Sequence, residues 1–390
     1  MIVWKNALLT GATGALGPAL AAELLRANPG GTLAVLIRPL NGSLEQRFEQ
    51  WLGCVAEEIG STPLARTAWK KRLIPVPGDV RQPDFGIPAE QNARLIDQTD
   101  LLLHAAADTQ FKSVTQEQWD TNVEGTRHAL AWARRCRQSS RVICVSTICT
   151  SGTRTGRIQE IFTPTPPEFV NNYERTKWEA EKLAMESGLN IAIARVSIVM
   201  GSHATGAVYR PGALHQIFKW FGRGFVPVIQ GTDQTPMDLI STEPVAEFLA
   251  RASMTAWQPG TIWHVAAGDR AVPLIDLAGL AFRELHGMRI VQNLAQPGEP
   301  FIVDPDTFDE VRSSQDGRRE RIRRQALDSL STFLPMLSYP RTYDTSNTER
   351  LWGAPLPLPD WRATMARVIR YCGMTGTSTA ATQELHRRAG

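Results

Sequence analysis

Short, continuous runs of apolar residues alternate with longer amphipathic segments through the first half of the chain. The intervening segments, such as ALGPALAAELLRA at 15–27, carry apolar residues three and four positions apart, as helices with one buried face do. Continuous apolar runs indicate strands that are buried on both faces. The alternation therefore predicts an α/β fold built on a doubly wound parallel sheet of the Rossmann type. The strand candidates are ALL at 7–9, LAVLI at 33–37, LIPV at 73–76, LLLHAA at 101–106, VICVS at 142–146 and IAIARVSIV at 191–199.

The alternation loosens after about residue 200. Proline-containing loops appear there, with a strand-like TIWHVAAG at 261–268 and helical patterns near 273–286, 318–332 and 360–371. We therefore predict a dinucleotide-binding core at 1–200 and a smaller lobe at 201–373 that binds substrate and returns some segments to the core. The small, polar residues at 374–390 predict a flexible tail.

Composition narrows the functional classes. The chain has 390 residues, 43% of them hydrophobic, and 42 Lys and Arg against 39 Asp and Glu give a formal charge of +3. This balance excludes a dedicated binder of nucleic acid or of membrane surfaces. The five cysteines form no CxxC pair and no cluster with metal-ligand spacing, so we expect neither a disulfide framework nor a metal site. No run reaches membrane-spanning length and no leader pattern is visible, so we expect a cytoplasmic protein.

A glycine-rich turn, TGATGALG at 10–17, joins the first predicted strand to the first predicted helix. Glycines in this position let the backbone approach a pyrophosphate, whose charge is stabilised by free N–H groups and by the positive end of the helix dipole. An ordinary tight turn is the alternative reading. The residues expected to contact a dinucleotide are Gly11, Thr13, Gly14, Leu16 and Gly17.

Two further strand ends suggest which dinucleotide binds. Arg38 ends the second strand, where an NAD-selective site would place an acidic residue against the ribose 2′-hydroxyl. An arginine there suits a 2′-phosphate, so we predict NADPH, although an arginine at a strand end can also simply face solvent. Asp79 and Val80 follow the third strand, where the carboxylate could accept a hydrogen bond from adenine or could cap a turn.

A tyrosine and a lysine, Tyr173 and Lys177, lie four residues apart on a predicted helix and hence on one face of it. We expect the lysine to favour the ionised phenol, to lower its pKa and to help it act as a general acid. Thr147, at the carboxyl end of the fifth strand, supplies a second hydroxyl for a substrate carbonyl, with Ser146 as the rival donor. These three residues, Thr147, Tyr173 and Lys177, are the predicted catalytic group.

Other reactive side chains are interpreted as structural. Cys149 lies two residues beyond Thr147, but hydride transfer needs no covalent intermediate and cysteines in strands are usually packed in the core. His104 and His264 lie in strand-like runs and are expected to be buried and hydrogen-bonded rather than catalytic.

With these motifs in place, the chain resembles the extended short-chain dehydrogenase/reductase superfamily and, within it, the thioester-reductase branch. That branch contains the terminal reductase domains of carboxylic acid reductases and nonribosomal peptide synthetases, and the fatty acyl-CoA reductases. The shared motifs are TGATGALG, GDV at 78–80, HAAADTQF at 104–111, TNVEGT at 121–126, VST at 145–147, YERTKWEAEKL from 173, ARVSIVMG at 194–201, MDLISTEPVAEFLA at 237–250 and, more weakly, YPRTYDTSNTERL at 339–351.

The resemblance implies further site residues. Ala105, Ala106, Asn122, Val196 and Ile198 would line the cofactor site, with the last two near the nicotinamide. Phe111 and Met237, together with Ser146, are the candidate substrate contacts. The chain departs from the family pattern at Val196, where many relatives have proline, and at Arg175 and Thr176, where small or amide residues are common.

The resemblance implies that the protein reduces an acyl thioester to an aldehyde with NADPH, and further to an alcohol where the aldehyde is retained. The acyl group would be carried on coenzyme A or on a phosphopantetheine carrier protein. Ketone or aldehyde reductases, sterol-type dehydrogenases and nucleotide-sugar epimerases or dehydratases use the same triad and stay open as alternatives. A noncatalytic NADP-sensing regulator is a further alternative, against which the intact triad argues.

Two segments carry hypotheses about binding. The basic run from Arg318 to Arg324 is either a solvated helix face or a contact for the phosphates of coenzyme A, for phosphopantetheine or for an acidic carrier protein. The aromatic cluster at 218–225 either packs in the core of the lobe, lines a tunnel for an acyl chain or rests on a membrane.

Overall fold

Seven parallel strands form one central sheet in the computed structural model, which describes residues 2–39, 43–58, 69–111, 116–136, 141–222, 226, 228–287, 301–313 and 318–377. They are β1 (Asn6–Thr10), β2 (Thr32–Ile37), β3 (Leu73–Pro77), β4 (Leu101–His104), β5 (Arg141–Thr147), β7 (Ile191–Val196) and β12 (Thr261–Val265), in the order β3-β2-β1-β4-β5-β7-β12. The strand order reverses between β1 and β4, and ligands of such sheets bind in the crevice at that point. The predicted doubly wound parallel sheet is confirmed.

Eight shorter strands in the described part of the chain pair in twos outside the central sheet. They are β6 (Gly156–Ile158), β8 (Ile198–Val199), β9 (Val228–Gln230), β10 (Pro236–Met237), β11 (Leu239–Ile240), β13 (Val272–Pro273), β14 (Phe301–Val303) and β15 (Arg341–Tyr343). The described helices are α1 (Gly17–Ala27), α2 (Leu44–Glu58), α3 (Ala89–Gln98), α4 (Gln116–Trp119), α5 (Gly125–Arg135), α6 (Asn172–Glu186), α7 (Ala213–Gly222), α8 (Thr242–Ser253), α9 (Leu274–Gly287), α10 (Pro305–Ser313), α11 (Arg318–Leu330), α12 (Ser346–Trp352) and α13 (Trp361–Thr377).

Both faces of the sheet are buried, as the continuous apolar runs predict. Side chains alternate between the two faces along each strand. Leu9 packs on one face with Leu20 of α1 and Phe248 of α8, whereas Leu8 packs on the other face with Trp132 of α5 and with Leu102. Both cores lie behind the carboxyl ends of the strands and hold the loops there in fixed positions.

The second half of the chain builds a separate apolar core. Leu214 and Phe218 of α7 pack there with Leu277 of α9, with Phe308 of α10 and with Leu334. In contrast, α8 packs against α1 and β12 forms the edge of the central sheet beside β7, so these two elements belong to the core of the first half. The last helix, α13, runs to Thr377, into the segment predicted as a tail, and residues 378–390 lie outside the described part of the chain.

Among the residues that the structure describes, no helix is both long enough and apolar enough to cross a membrane.

Candidate active site

The glycine turn fits tightly between β1, α1 and the end of β4. Gly11 has φ +73°, and a Cβ there would lie 2.5 Å from backbone atoms of Ala105 and Ala106. A Cβ on Gly17 would lie 1.7 Å from the carbonyl oxygen of Ala12. Only glycine is compatible with either position, so the backbone at the reversal of strand order is left accessible, as a pyrophosphate site requires.

The other predicted members of this site surround that turn. Leu16 directly precedes α1 and packs against the apolar core, while Thr13 is half-buried within the turn. The Ala106 amide donates a hydrogen bond to Thr10 Oγ1 over 3.3 Å, which ties the end of β4 to the end of β1. The structure therefore brings the glycines, Ala105 and Ala106 together at the crevice.

Three arginines lie close to one another at the carboxyl end of β2. Arg38 follows β2, Arg47 lies on α2, and Arg210 comes from the second half of the chain. Arg47 Nη1 donates a hydrogen bond to the Arg38 carbonyl oxygen over 2.6 Å. Burial, followed by the charges of Arg38 and Arg210, lowers the pKa of Arg47, and desolvation followed by the charge of Arg38 lowers the pKa of Arg210. Sequence reasoning found only Arg38, because nothing in the local sequence marks the other two.

Asp79 lies near these arginines but already has a partner. Arg81 Nη2 lies 2.6 Å from one carboxylate oxygen of Asp79, and the Arg81 amide donates to the other oxygen over 3.0 Å. Burial alone would raise the pKa of Asp79, but the hydrogen bonds and charge of Arg81, with the charge of Arg38, hold it below its usual value. Next to it, Val80 is buried, and its carbonyl oxygen lies 2.9 Å from Nδ1 of His128 on α5. A contact between Asp79 and adenine stays a prediction.

The catalytic helix, α6, begins with a reciprocal cap. The side chain of Asn171 accepts a hydrogen bond from the Glu174 amide over 3.0 Å, and the Glu174 carboxylate accepts one from the Val170 amide over 3.0 Å. Side-chain caps of this kind satisfy amides that the first helical turn leaves unpaired. The cap fixes the turn that carries Tyr173, and Lys177 follows one turn later.

Thr147 and Tyr173 meet at the carboxyl end of β5. Their side chains lie close enough to interact, and Tyr173 is only 8% exposed. Burial and nearby acidic groups raise the pKa of Tyr173, although the Thr147 side chain acts to lower it. The two hydroxyls thus form a pair of hydrogen-bonding groups at the strand end, where parallel sheets bind their ligands.

The expected effect of Lys177 on the phenol is wrong for this structure. Lys177 Nζ donates to the Val145 carbonyl oxygen over 2.9 Å, and burial lowers the pKa of Lys177 itself. Burial of the phenol outweighs any stabilisation of its ionised form, so Tyr173 keeps its proton. A protonated phenol is the form that a general acid needs.

Asn122 connects the segment after β4 to the catalytic helix. It lies in a π-helical turn at Asp120–Glu124, a geometry that is frequent at functional sites. Its amide nitrogen donates to the Asp108 carbonyl oxygen and to Thr176 Oγ1, each over 3.0 Å, and its amide oxygen accepts from the Asp108 amide over 2.8 Å. Asn122 thus holds the two segments in place. Its predicted contact with the cofactor is not tested by these bonds.

Phe111 packs directly on the catalytic phenol. Its ring lies 5.2 Å from that of Tyr173 in an edge-on arrangement, and 5.4 Å from the ring of Phe333 in a similar one. Such edge-to-face pairs are the favoured geometry for aromatic rings. Phe111 therefore stands between the catalytic residue and the apolar core of the second half.

Ser146 faces away from Thr147, as neighbouring residues of a strand must. Its hydroxyl donates to Glu181 Oε1 over 2.6 Å, and Glu181 forms a buried ion pair with Arg195 at 2.8 Å. Arg195 Nη1 lies 3.3 Å from His264 Nε2. The Ser146 proton is engaged in this network, which leaves Thr147 as the β5 hydroxyl paired with Tyr173.

Val196, Ile198 and Met237 line the next strands. Val196 is the register partner of Thr147 on β7, and Ile198 pairs with Leu239. Met237 is buried in the apolar core of the second half. Val196 is thus next to the catalytic threonine on the neighbouring strand, and the contacts of Val196 and Ile198 with the nicotinamide stay predictions.

The cysteine and histidines near the site are buried and uncharged. Burial raises the pKa of Cys149 to about 11, so the thiol is not a nucleophile at neutral pH. Burial lowers the pKa of both His104 and His264 to about 3. His104 is hydrogen-bonded to Thr10 and Thr126, at 2.9 and 3.2 Å. All three have the structural role that the sequence predicts.

The late segment YPRTYDTSNTERL packs behind the site. Strand β15 pairs with β6, Arg341 donates to the Gly152 carbonyl oxygen, and Tyr343 Oη lies 3.4 Å from Ser151 Oγ. These contacts support the turn at Ile148–Ser151 that follows Thr147. The sequence resemblance identified this segment without indicating that it contacts the catalytic strand.

Comparison with known proteins identifies the family. Residues 9–249 match the sequence model of an NAD-binding family described as male sterility protein, a stretch that covers more than half of the chain and contains the glycine turn, Thr147, Tyr173 and Lys177. The chain belongs to this family. Its membership confirms the predicted extended short-chain dehydrogenase/reductase type and the nicotinamide dinucleotide as the class of cofactor.

Individual relatives agree with the branch predicted from the motifs. Fatty acyl-CoA reductase 1 of Xenopus laevis is 27% identical over 289 residues, which are 66% of this chain and 55% of that protein. The isonitrile lipopeptide synthase of Streptomyces coeruleorubidus is 29% identical over 256 residues, which are 64% of this chain and 17% of the synthase. The chain thus spans about half of the length of the reductase and less than a fifth of the length of the synthase.

A solved structure shares the fold along almost the whole chain. The terminal R domain from the myxalamid PKS-NRPS biosynthetic pathway superposes with a TM-score of 0.76 and 23% identity, covering 96% of this chain and 92% of that one. The similarity therefore extends past residue 249 into the second half. At this identity it shows a shared fold.

Proposed function

We propose that this chain reduces an acyl thioester to an aldehyde with NADPH. The observation that carries the proposal is the proximity of the Thr147 and Tyr173 side chains at the end of β5, with Lys177 one helical turn further on. Membership in the male sterility family, and relatives named as acyl-CoA reductase and lipopeptide synthase, support a thioester as the substrate.

In this mechanism the thioester carbonyl oxygen accepts hydrogen bonds from Thr147 and Tyr173. Bound NADPH supplies the hydride that the carbonyl carbon receives. Negative charge develops on the oxygen during this step, so hydroxyl groups aimed at it stabilise the transition state. Tyr173, which carries its proton in the resting state because burial raises its pKa, then gives that proton to the oxygen.

The resulting hemithioacetal then collapses. Its hydroxyl proton returns to Tyr173, the carbon–sulfur bond breaks, and the released thiolate takes a proton from solvent to become the thiol. The products are an aldehyde and a free thiol. Lys177, anchored on the Val145 carbonyl, lies one helical turn from Tyr173 during both proton transfers.

The cofactor proposed is NADPH rather than NADH. Gly11 and Gly17 leave space for a pyrophosphate against the backbone, and the arginines at 38, 47 and 210 concentrate positive charge beside it. A dianionic 2′-phosphate would relieve the mutual repulsion of these arginines, which a neutral ribose hydroxyl would leave in place.

The thiol carrier is proposed to be coenzyme A or a phosphopantetheine arm. The hypothesis that the basic run contacts its phosphates stays a prediction. Arg321 and Arg324 are exposed on α11, with Arg324 lying 3.9 Å from Asp328, whereas the side chains of Arg318, Arg319 and Arg323 lie outside the described part of the chain. Reversing the charge of Arg321 and Arg324 should raise the KM for the carrier-bound substrate, and an unchanged KM would contradict the contact.

The proposed function is tested by following NADPH oxidation with acyl-CoA, acyl-pantetheine, aldehyde and ketone substrates, and by identifying the products. We expect thioesters to be consumed, with one thiol released per aldehyde formed. Oxidation of NADPH by ketones, with no turnover of any thioester or aldehyde, would overturn the proposal in favour of the ketone-reductase alternative.

A further inference from the structure

Glu181 lies on α6 one helical turn beyond Lys177, and hence on the same face of the helix. Lysine and glutamate side chains four residues apart on a helix are neighbours that can form an ion pair. In this structure Glu181 forms its ion pair with Arg195 of β7, at 2.8 Å, and the ion pairs of the described residues include none between Glu181 and Lys177. A different cation therefore takes the place of the expected partner.

Both oxygens of the Glu181 carboxylate are occupied by other donors. Oε1 accepts a hydrogen bond from the Ser146 hydroxyl over 2.6 Å and one from Arg195 Nε over 3.0 Å. Oε2 accepts one from Arg195 Nη2 over 2.8 Å. All three side chains are buried. Because hydrogen bonds between charged groups are short and strong, the carboxylate is held towards Ser146 and Arg195.

Arg195 is itself fixed by His264 of β12. His264 Nδ1 lies 2.7 Å from the Asp344 carbonyl oxygen, which can only accept, so Nδ1 carries the proton of the neutral imidazole. Nε2 is then the acceptor for Arg195 Nη1, at 3.3 Å. Burial lowers the pKa of His264 to about 3, so the imidazole remains an acceptor at neutral pH. Two adjacent strands thus orient the guanidinium group towards Glu181.

Lys177 is anchored one residue away from this network. Among the described hydrogen bonds, its side chain makes one, from Nζ to the Val145 carbonyl oxygen over 2.9 Å. An amino group carries more than one N–H, so Lys177 keeps a donor for a ligand at the carboxyl ends of the strands. Burial lowers the pKa of Lys177, and Cys144 and Glu181 oppose that shift. The Glu181 carboxylate is therefore close enough to act on the lysine.

We propose that Ser146 and Arg195 are positioning residues, which hold Glu181 away from Lys177 and so leave the lysine amino group available to the ligand in the crevice. This inference rests on the proposed place of Lys177 in the catalytic group. Without Arg195, the carboxylate would be buried with no counter-charge, one helical turn from a lysine, and an ion pair with Lys177 would offset that charge. Ser146 thereby has a role that needs no contact with the substrate.

The test compares Arg195→Met with the double variant Arg195→Met/Glu181→Gln. The single substitution allows the carboxylate to pair with Lys177, so kcat and the affinity for NADPH should each fall about 10- to 100-fold, the range for loss of one hydrogen bond to a charged group. The double substitution removes both charges of the buried pair and keeps an acceptor for Ser146, so both quantities should recover most of the loss. We would measure kcat with the thioester that is reduced fastest, and NADPH dissociation constants by fluorescence titration.

Three further variants separate positioning from a general loss of stability. Ser146→Ala removes one of the bonds that hold Glu181, so it should lower kcat and NADPH affinity less than Arg195→Met does. Arg141→Met, the control for a buried arginine, changes the opposite end of β5. Ser202→Ala, the control for a buried serine, removes a hydroxyl that donates to Glu243 over 2.6 Å. Both controls should lose stability and keep their kcat.

The inference is overturned if Arg195→Met matches the unaltered protein, or if the double variant is no better than Arg195→Met. If no thioester is reduced by any variant, the proposed function fails, and the NADPH dissociation constants decide the inference by the same pattern. Should Arg195→Met not fold, Ser146→Ala decides. A kcat equal to that of Ser202→Ala, or a lower kcat with unchanged NADPH affinity, would overturn the inference, and a parallel loss of kcat and NADPH affinity would support it.

Discussion

Asn122 Nδ2 lies 3.0 Å from Thr176 Oγ1, and this bond joins the π-helical turn after β4 to the helix that carries Tyr173 and Lys177. The same amide group is bonded to both backbone polar atoms of Asp108. One buried side chain therefore sets the distance between the crevice and the catalytic helix.

Asn122→Ala should reduce both stability and turnover. The Asp108 amide, the Asp108 carbonyl oxygen and Thr176 Oγ1 each lose one hydrogen bond, so we expect a loss of about 1–3 kcal/mol in the free energy of unfolding and a decrease in kcat larger than any change in KM. Thr176→Val is the control: it removes the bond between Asn122 and α6 and the bond of the hydroxyl to the Tyr173 carbonyl oxygen, keeps both bonds to Asp108, and should show a smaller loss of stability. Urea denaturation and steady-state kinetics measure both effects. Unchanged kcat in a folded Asn122→Ala protein would show that the helix is positioned by other contacts.

Tyr173→Phe tests the general acid. The substitution removes the hydroxyl group that donates the proton and keeps the ring with its contact to Phe111. We therefore expect kcat to fall by about 10²–10⁴ and the affinity for NADPH to change little. Tyr339→Phe, at a half-buried tyrosine outside the site, should leave kcat unaltered. A kcat of Tyr173→Phe close to that of the unaltered protein would rule out this residue as the acid.

Much of the fold and of the reaction centre could be predicted from the sequence, because the signals for them are local. The glycines of 11–17 reflect backbone geometry, and Tyr173 and Lys177 are related by one helical turn. The fold is confirmed by the parallel sheet. The structure brings Thr147 and Tyr173 together, and their role in catalysis stays a proposal.

What the sequence did not reveal depends on distance along the chain or on burial. Arg210 lies beside the charges of Arg38 and Arg47 only because the chain folds back from its second half. The pKa of Tyr173 was expected to be lowered by Lys177, but the pattern of residues contains no measure of burial, which dominates here. Likewise, nothing in the sequence distinguishes Ser146 from Thr147 as the donor to a substrate carbonyl. In the structure, the pleat of β5 directs the two side chains to opposite faces of the sheet.

The arginine cluster predicts the selectivity for the cofactor. Arg47→Ala and Arg210→Ala should each weaken NADPH binding by about 10- to 100-fold, the range expected for loss of one charge-assisted hydrogen bond, and should leave NADH binding nearly unchanged. Fluorescence titration measures the two dissociation constants without turnover. Arg283→Ala, at an exposed position on α9, is the control. Equal weakening of NADH and NADPH would mean that these arginines do not contact the 2′-phosphate.

The buried cap of the catalytic helix makes stability depend on pH. Burial raises the pKa of Glu174 to about 7, although the Val170 amide, Arg341 and Asn171 oppose the shift. The folded state therefore binds a proton more tightly than the unfolded state, so stability falls as pH rises from about 4.5 to about 7 and stays at the lower level above that. At about 1.4 kcal/mol per pKa unit, this shift lowers the free energy of unfolding at pH 8 by at most about 3.5 kcal/mol.

Glu174→Gln removes this ionisation and can still accept the hydrogen bond from the Val170 amide. Relative to the unaltered protein, the variant should gain stability at pH 8 compared with pH 5, as measured by urea denaturation at both values.

For Glu243, the expected dependence of stability on pH has the opposite sign. Although burial alone would raise its pKa, hydrogen bonds from Ser202 and the His203 amide lower it, so its stabilising effect is lost on acidification. Glu243→Gln should therefore destabilise the protein more at pH 8 than at pH 5. Parallel pH profiles for the two variants would show that Glu174 is not protonated in the folded protein near neutral pH.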